Sequence, residues 1–304
     1  MRLLKCLALF TLMPLFSFAW SGGAHLSGGA VTYFYLKKIS PATIPKVLQI
    51  LKHHPWYNDK RWTYQLQDLT GEDRDIGYFM LASIFPDDAR DFPKLGGPPM
   101  TEWHYVYYPF VPAGQTVKAT GPPSPNAEEK IIEFLAKVKT DTDSVQKAID
   151  ICWILNLIQE VHQPIYTISL FDEAHPQGDK GGALTYVRFN PTYPAQTLKS
   201  YWDGIIRGSI SASPDYAQGL LADSTYQIEA LPELKTDLTV NSWIKKESYV
   251  IAKEKVYMDG KVNGVQKAPS DVPGTYFPEA IQICERRLVL AGMRGAIELA
   301  KALQ

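Results

Sequence analysis

Removal of residues 1–19 would make Trp20 the first residue of the chain, with His25 five positions on. A free α-amino group has a pKa of about 8, so a metal ion displaces its proton near neutral pH. The amine and carbonyl oxygen of Trp20 would close a five-membered chelate ring, and His25 would add an imidazole. Farther along, Asn156 and Glu160 stand four residues apart in an apolar run and share one helix face. A carboxylate in such a run is costly unless it is paired or binds a cation. Phe85-Pro86-Asp87-Asp88 places an acidic pair after a helix-like run, and Trp103-His104-Tyr105 sets an imidazole between aromatics. Lys199 and Asp203 have the spacing of a helical ion pair. Taken singly, these features also read as turn aspartates, an aromatic patch and a surface salt bridge.

The first 19 residues have the pattern of a secretory signal peptide. Arg2 and Lys5 give a positive start, Leu7 to Phe18 an apolar core, and Ser17 and Ala19 small residues at the cleavage point. The apolar run falls short of the roughly 20 residues a bilayer span needs. Cys6 precedes the apolar core, where it cannot serve as a lipid anchor. A secreted or periplasmic protein with no stable membrane anchor is expected. The net charge of −1 gives no basic field to draw in nucleic acid, so a polyanion would have to be held by metals or a few side chains. Of the three cysteines, Cys152 and Cys284 would remain after cleavage, as a disulfide or as buried thiols.

Helical spacing dominates the rest. Ala30–Lys38, Ile44–His53, Ala127–Val138, Asp143–His162 and a final helix opened by Pro278 carry apolar residues at helical intervals. Residues 91–125 and 171–195 are long loops rich in Gly, Pro and aromatics, a common place for a site on a helical scaffold. No convincing linker interrupts residues 20–304. The expected fold is mainly α, a single domain with long loops.

The order of the pieces is more specific than any one of them. Trp20 with His25, Phe85-Pro86-Asp87-Asp88, Trp103-His104-Tyr105, Val161-His162-Gln163-Pro164, Asp179-Lys180-Gly181-Gly182, Tyr201-Trp202-Asp203, Trp243 with Glu247-Ser248, and Arg286-Arg287 through Gly292 follow one another along the chain. In this arrangement the sequence resembles the secreted zinc-dependent nucleases of the S1/P1 type, relatives of bacterial zinc phospholipase C. The resemblance implies a helical phospholipase C/nuclease-like fold and a cleft that cuts phosphodiester bonds at zinc. One ion would take the Trp20 amine, His25 and the shared acid Glu160. A second would take Asp87, His104, Asn156 and Glu160. Asp87 and Glu160 would be the catalytic carboxylates. The family's usual aspartate at the shared position is Glu160 here, and the second ion's helix histidine is Asn156, a weak zinc donor.

The third ion's histidines correspond to Tyr166 and Lys199, leaving only Asp203 as a weak metal position. An ammonium cannot ligate a metal, so at most two zinc ions are expected. Ala183 and Tyr107 also depart from the family pattern. Lys199 would pair with Asp203 or bind a substrate phosphate, and Tyr105 would stack a base or pack at the rim. The implied substrate is single-stranded nucleic acid or a nucleotide, cleaved at a phosphodiester or phosphomonoester bond. The lost histidines leave open a non-catalytic module that binds a phosphate ester or a protein. A phospholipase C is a lesser alternative.

Overall fold

The structure is a computed structural model that describes residues 20–95, 100–190, 192–236 and 238–304. The signal peptide read in residues 1–19 lies outside the described residues.

Two apolar helices form the centre. α1 spans Gly22–Ile39 and α5 spans Ser144–His162. Every residue of α5 from Ala148 to His162 is buried. A helix apolar on all sides has no face to offer water and must be surrounded. Around these lie α2 (Thr43–Leu51), α3 (Gly71–Asp88), α4 (Ala127–Thr140), α6 (Leu198–Asp203), α7 (Ser213–Ala222) and α8 (Tyr276–Ala302). α1 packs on α3, α7 and α8, and α5 packs on α3, α4 and α8. The buried apolar residues form one cluster running from Trp20 to Leu303. The mainly α expectation holds. Cys152 and Cys284 are buried free thiols, so the disulfide alternative is excluded.

Local chemistry sets the helix starts. Asn126 opens α4 with a capping box to Glu129. The Asp143 carboxylate opens α5 by accepting from Val145 N and Gln146 N. The Thr197 hydroxyl opens α6 by accepting from Ser200 N. α1 begins at Gly22, eight residues before the start that apolar spacing indicates. Its glycines look like helix breakers, yet close packing requires them. A Cβ at Gly29 would stand 2.7 Å from the Phe79 carbonyl oxygen, and one at Gly28 would meet the Gln159 side chain at 2.5 Å. α3 runs on through Pro86, so the acidic pair expected after a helix-like run lies in its last turn.

Two short sheets pin the loops. β1 (Tyr108–Phe110) pairs in parallel with β2 (Ile168–Leu170). Val106 N donates to the Tyr166 carbonyl at 2.9 Å just before this pairing. β3 (Tyr186–Arg188) runs antiparallel to β4 (Gln196–Thr197) and parallel to β5 (Ser270–Asp271). Between them the turn 178–182 is held from inside by Asp179. Its carboxylate accepts from Leu170 N, Gly182 N, the Thr185 hydroxyl and the Tyr257 hydroxyl.

The C-terminal end of α5 is clamped by charge. Glu247 pairs with Arg287 at 2.6 Å and with Arg294 at 2.7 Å. Arg294 donates to His162 Nε2, Arg287 donates to the His162 carbonyl, and Ser248 donates to the Val161 carbonyl. His162 is therefore a structural histidine, and these contacts fix the turn that carries Glu160.

Candidate metal centre

Four segments meet on one floor. α1 brings His25, the last turn of α3 brings Asp87, α5 brings Asn156, Gln159 and Glu160, and the turn Met100–His104 brings His104. His25 is fully buried, and its Nδ1–H donates to Gln159 Oε1 at 3.0 Å. That bond fixes Nε2 as the nitrogen with the lone pair. Nε2 lies 3.3 Å from Asp87 Oδ2 and 3.9 Å from Glu160 Oε2. Among the described residues neither His25 Nε2 nor Glu160 Oε2 has a hydrogen-bond partner. One donor atom from each of the three side chains lies within 4.8 Å of the others. Buried lone pairs facing one another are costly unless a cation or a proton stands among them.

The electrostatics record the same tension. Burial pushes the Glu160 carboxyl up to about 8 against the pull of His25, and Asp87 adds to the rise. Burial acts on Asp87 as well, but Arg90, His25 and His104 outweigh it and hold that carboxyl below its ordinary range. Arg90 Nη2 sits 2.5 Å from Asp87 Oδ1. His104 Nδ1–H donates to Glu160 Oε1 at 2.9 Å. Burial lowers His104 to about 4, so its ring stays neutral at neutral pH.

Trp20 is buried with its ring edge-on to His25, centroids 6.4 Å apart. Ser21 N donates to the Asp203 carbonyl at 3.2 Å, which ties the start of α1 to the end of α6. Asn156 does not present its oxygen to Asp87. Its Nδ2 donates to Asp87 Oδ2 at 2.8 Å and to the Ser83 carbonyl at 3.0 Å.

The opposite wall holds Tyr166, Lys199 and Asp203. Tyr166 donates from its hydroxyl to Asp203 Oδ1 at 3.1 Å. Lys199 Nζ lies 3.6 Å from Asp203 Oδ2 and 3.5 Å from the centre of the Tyr166 ring. The surface salt bridge that the spacing suggested is in fact buried, with side-chain exposures of 6 % and 11 %. The turn 178–182 covers it. Gly181 and Gly182 have positive φ, and a Cβ at Gly182 would stand 3.0 Å from Lys199 N. Burial raises the Asp203 carboxyl to about 7 against the pull of Lys199. An ammonium already seated on the only carboxylate of this group leaves no fit for an ion.

Above the floor opens a cleft of about 600 Å³, lined by Arg90, His104, Tyr105, Tyr107, Lys180 and Lys199 among others. Tyr105 and Tyr107 stack with ring centres 4.0 Å apart.

A sequence model described as S1/P1 Nuclease matches residues 39–304. The chain belongs to the S1/P1 nuclease family. No curated protein matches it. As a member of this zinc-dependent family it is nuclease-like in fold, and no helix among the described residues is long and apolar enough to cross a membrane. The match starts beyond His25, so the place of His25 beside Asp87 and Glu160 comes from the fold alone.

Of the residues expected as ligands, His25, Asp87 and Glu160 come together as a group that could hold a metal ion, His104 bonds Glu160, Trp20 lies edge-on to His25, and Asn156 is a donor to Asp87. Sequence reasoning missed Gln159, which orients His25, and gave Arg90 no part. Gln159 had one legible signal, its place next to Glu160. Arg90 had its position three residues after Asp87.

Proposed function

We propose that this chain is a secreted metal-dependent phosphodiesterase acting on single-stranded nucleic acid or nucleotides with a reduced set of metal ligands. The observation that carries the reading is the convergence of His25, Asp87 and Glu160 under a cleft lined by Arg90, Lys180 and Lys199. The unpartnered His25 Nε2 and Glu160 Oε2 fit a zinc ion, with Asp87 beside them. After loss of residues 1–19 the Trp20 amine would complete its shell. A bound zinc supplies a water of lowered pKa and a Lewis acid for a phosphoryl oxygen. Asp87 and Glu160 keep the donor atoms in register, and Gln159 holds the tautomer of His25. Arg90 and Lys199 place positive charge where a phosphate would lie. The Tyr105–Tyr107 stack offers an aromatic face to a base.

The test is hydrolysis of single-stranded DNA, RNA and nucleoside monophosphates with and without added zinc. Zinc-dependent turnover that disappears in Glu160→Ala supports the reading. A second reading, a non-catalytic binding module, is favoured by Lys199 on Asp203, where the family would place a metal. Tight binding of the same ligands with no turnover at any zinc concentration would select it.

A further inference from the structure

The bend 172–177, which leads into the turn held by Asp179, is fastened by a different acid. Asp172 and His175 are both buried. Asp172 Oδ1 accepts from His175 N at 2.7 Å and from His175 Nδ1 at 2.9 Å. His175 Nε2 lies 3.3 Å from the Leu184 carbonyl oxygen, on the far leg of the loop. A carboxylate and a carbonyl offer only lone pairs, so both ring nitrogens face acceptors. The two bonds exist together only when the ring carries two hydrogens and a positive charge. Asp172 supplies the counter-charge that a buried cation needs. Among the described residues no other charged group bonds the ring. Of the charges on the same loop, Glu173 and Lys180 are exposed, and the Asp179 carboxylate is taken up by its own donors, Tyr257 among them.

We propose that the bend 172–177 is a strap on the wall of the cleft, fastened to Leu184 by the His175 imidazolium and released when the ring loses its proton. A neutral ring keeps one hydrogen. The carboxylate is the stronger acceptor and retains it, so Nε2 turns a lone pair toward the Leu184 carbonyl. The link across the loop then becomes a repulsion. The freed part is bounded on both sides. Glu173 N still donates to Gln115 Oε1 at the near end, and Asp179 still holds Gly182 and Thr185 at the far end. Gln177, which lines the cleft, lies between them. Histidine changes charge between about pH 5 and 8, so the cleft wall at Gln177 responds to the acidity of the medium. The strap goes beyond the function proposed above, because neither a metal nor a substrate takes part in it.

The experiment is hydrogen–deuterium exchange at pH 5.0 and pH 8.5, corrected for the intrinsic exchange rate at each pH. The amides to follow are those of Glu173, His175 and Gly178, which are all hydrogen-bonded. Their protection is expected to fall by about 10-fold or more at the higher pH, the scale of a hydrogen bond from a charged group. In His175→Gln, which has no proton to lose, protection is expected to be equal at both pH values. Unchanged protection in the unaltered protein, a fall of the same size throughout the chain, or an equal fall in His175→Gln would overturn the inference. Should the variant fail to fold, nitrogen-15 resonance of the His175 ring in the unaltered protein decides. Two hydrogen-bearing nitrogens at pH 5.0 and one at pH 8.5 are expected, and the same number at both would overturn it. These readings need no turnover, so a protein without hydrolytic activity would end the proposed function and leave the strap standing.

Discussion

On the α1 side of the cleft, His25, Asp87 and Glu160 turn lone pairs toward one another, and the proton on Glu160 is held by burial up to about 8. On the α6 side, Lys199 closes on Asp203 and over the Tyr166 ring, and Tyr166 donates to the same carboxylate. Both walls bury acid, and they satisfy it differently. One wall is left with donors that suit an ion from solution. The other is closed by a cation encoded in the chain. A buried charge needs a partner, and the partner decides whether the wall responds to metal.

The comparison breaks most sharply at Glu160. Disturbing groups behind a metal ligand already costs about 10–100-fold in affinity or activity. Glu160→Ala, which removes a proposed ligand itself, is expected to cost more than that in zinc affinity and in turnover together. Isothermal titration and a single-turnover assay read the two effects, and loss of turnover with zinc affinity intact would separate them.

Lys199 is the counterpart on the opposite wall. Lys199→Ala leaves Asp203 buried without its cation and is expected to destabilise the fold by about 3–5 kcal/mol at pH 8. Zinc stoichiometry should not change. Urea unfolding gives the first number and metal analysis the second. A variant as stable as the parent would show that the pair is not a structural partner of the fold.

The pH response should differ between the walls in the same way. The Asp203 carboxyl is raised from 3.8 to about 7 by burial against the pull of Lys199. A raised carboxyl stabilises the fold below its unfolded value, and that share is lost as pH rises through the folded value. Stability is therefore expected to fall between pH 3.8 and about 7 by an amount that Asp203→Asn removes, with or without zinc. Glu160 follows the same sign in the metal-free protein, but zinc must displace its proton. Calorimetry at pH 7 in buffers of different ionisation enthalpy should detect proton release on zinc binding, reduced in Glu160→Gln to the share of the Trp20 amine. The smallest effect is expected at Tyr105. Tyr105→Ala should weaken binding of a single-stranded oligonucleotide by about 1–3 kcal/mol and leave zinc affinity unchanged, as titration of each would show.

Parts of this arrangement were legible in the chain. α5 was readable from the Asp143 cap, the apolar run and Pro164, and so was the shared face of Asn156 and Glu160. The partners of that face lie 73 and 135 residues away, at Asp87 and His25, beyond the reach of any local pattern. Only the ordered resemblance linked them. The start of α1 was hidden because its glycines, needed for close approach to α3 and α5, read locally as breakers. Lys199 and Asp203 had the spacing of a surface pair, and burial came from a turn about 20 residues earlier whose positive φ no periodicity reveals. Arg90 was overlooked because a cation three residues after an acid is ordinary on a helix end. Its meaning depends on Asp87 facing Glu160.

Anomalous diffraction at the zinc edge, from crystals of the processed protein grown with zinc, tests the centre most directly. A single strong peak bounded by the Trp20 nitrogen, His25 Nε2, Asp87 and Glu160 is the expected result. A peak between Lys199 and Asp203, or none beside His25, would contradict it.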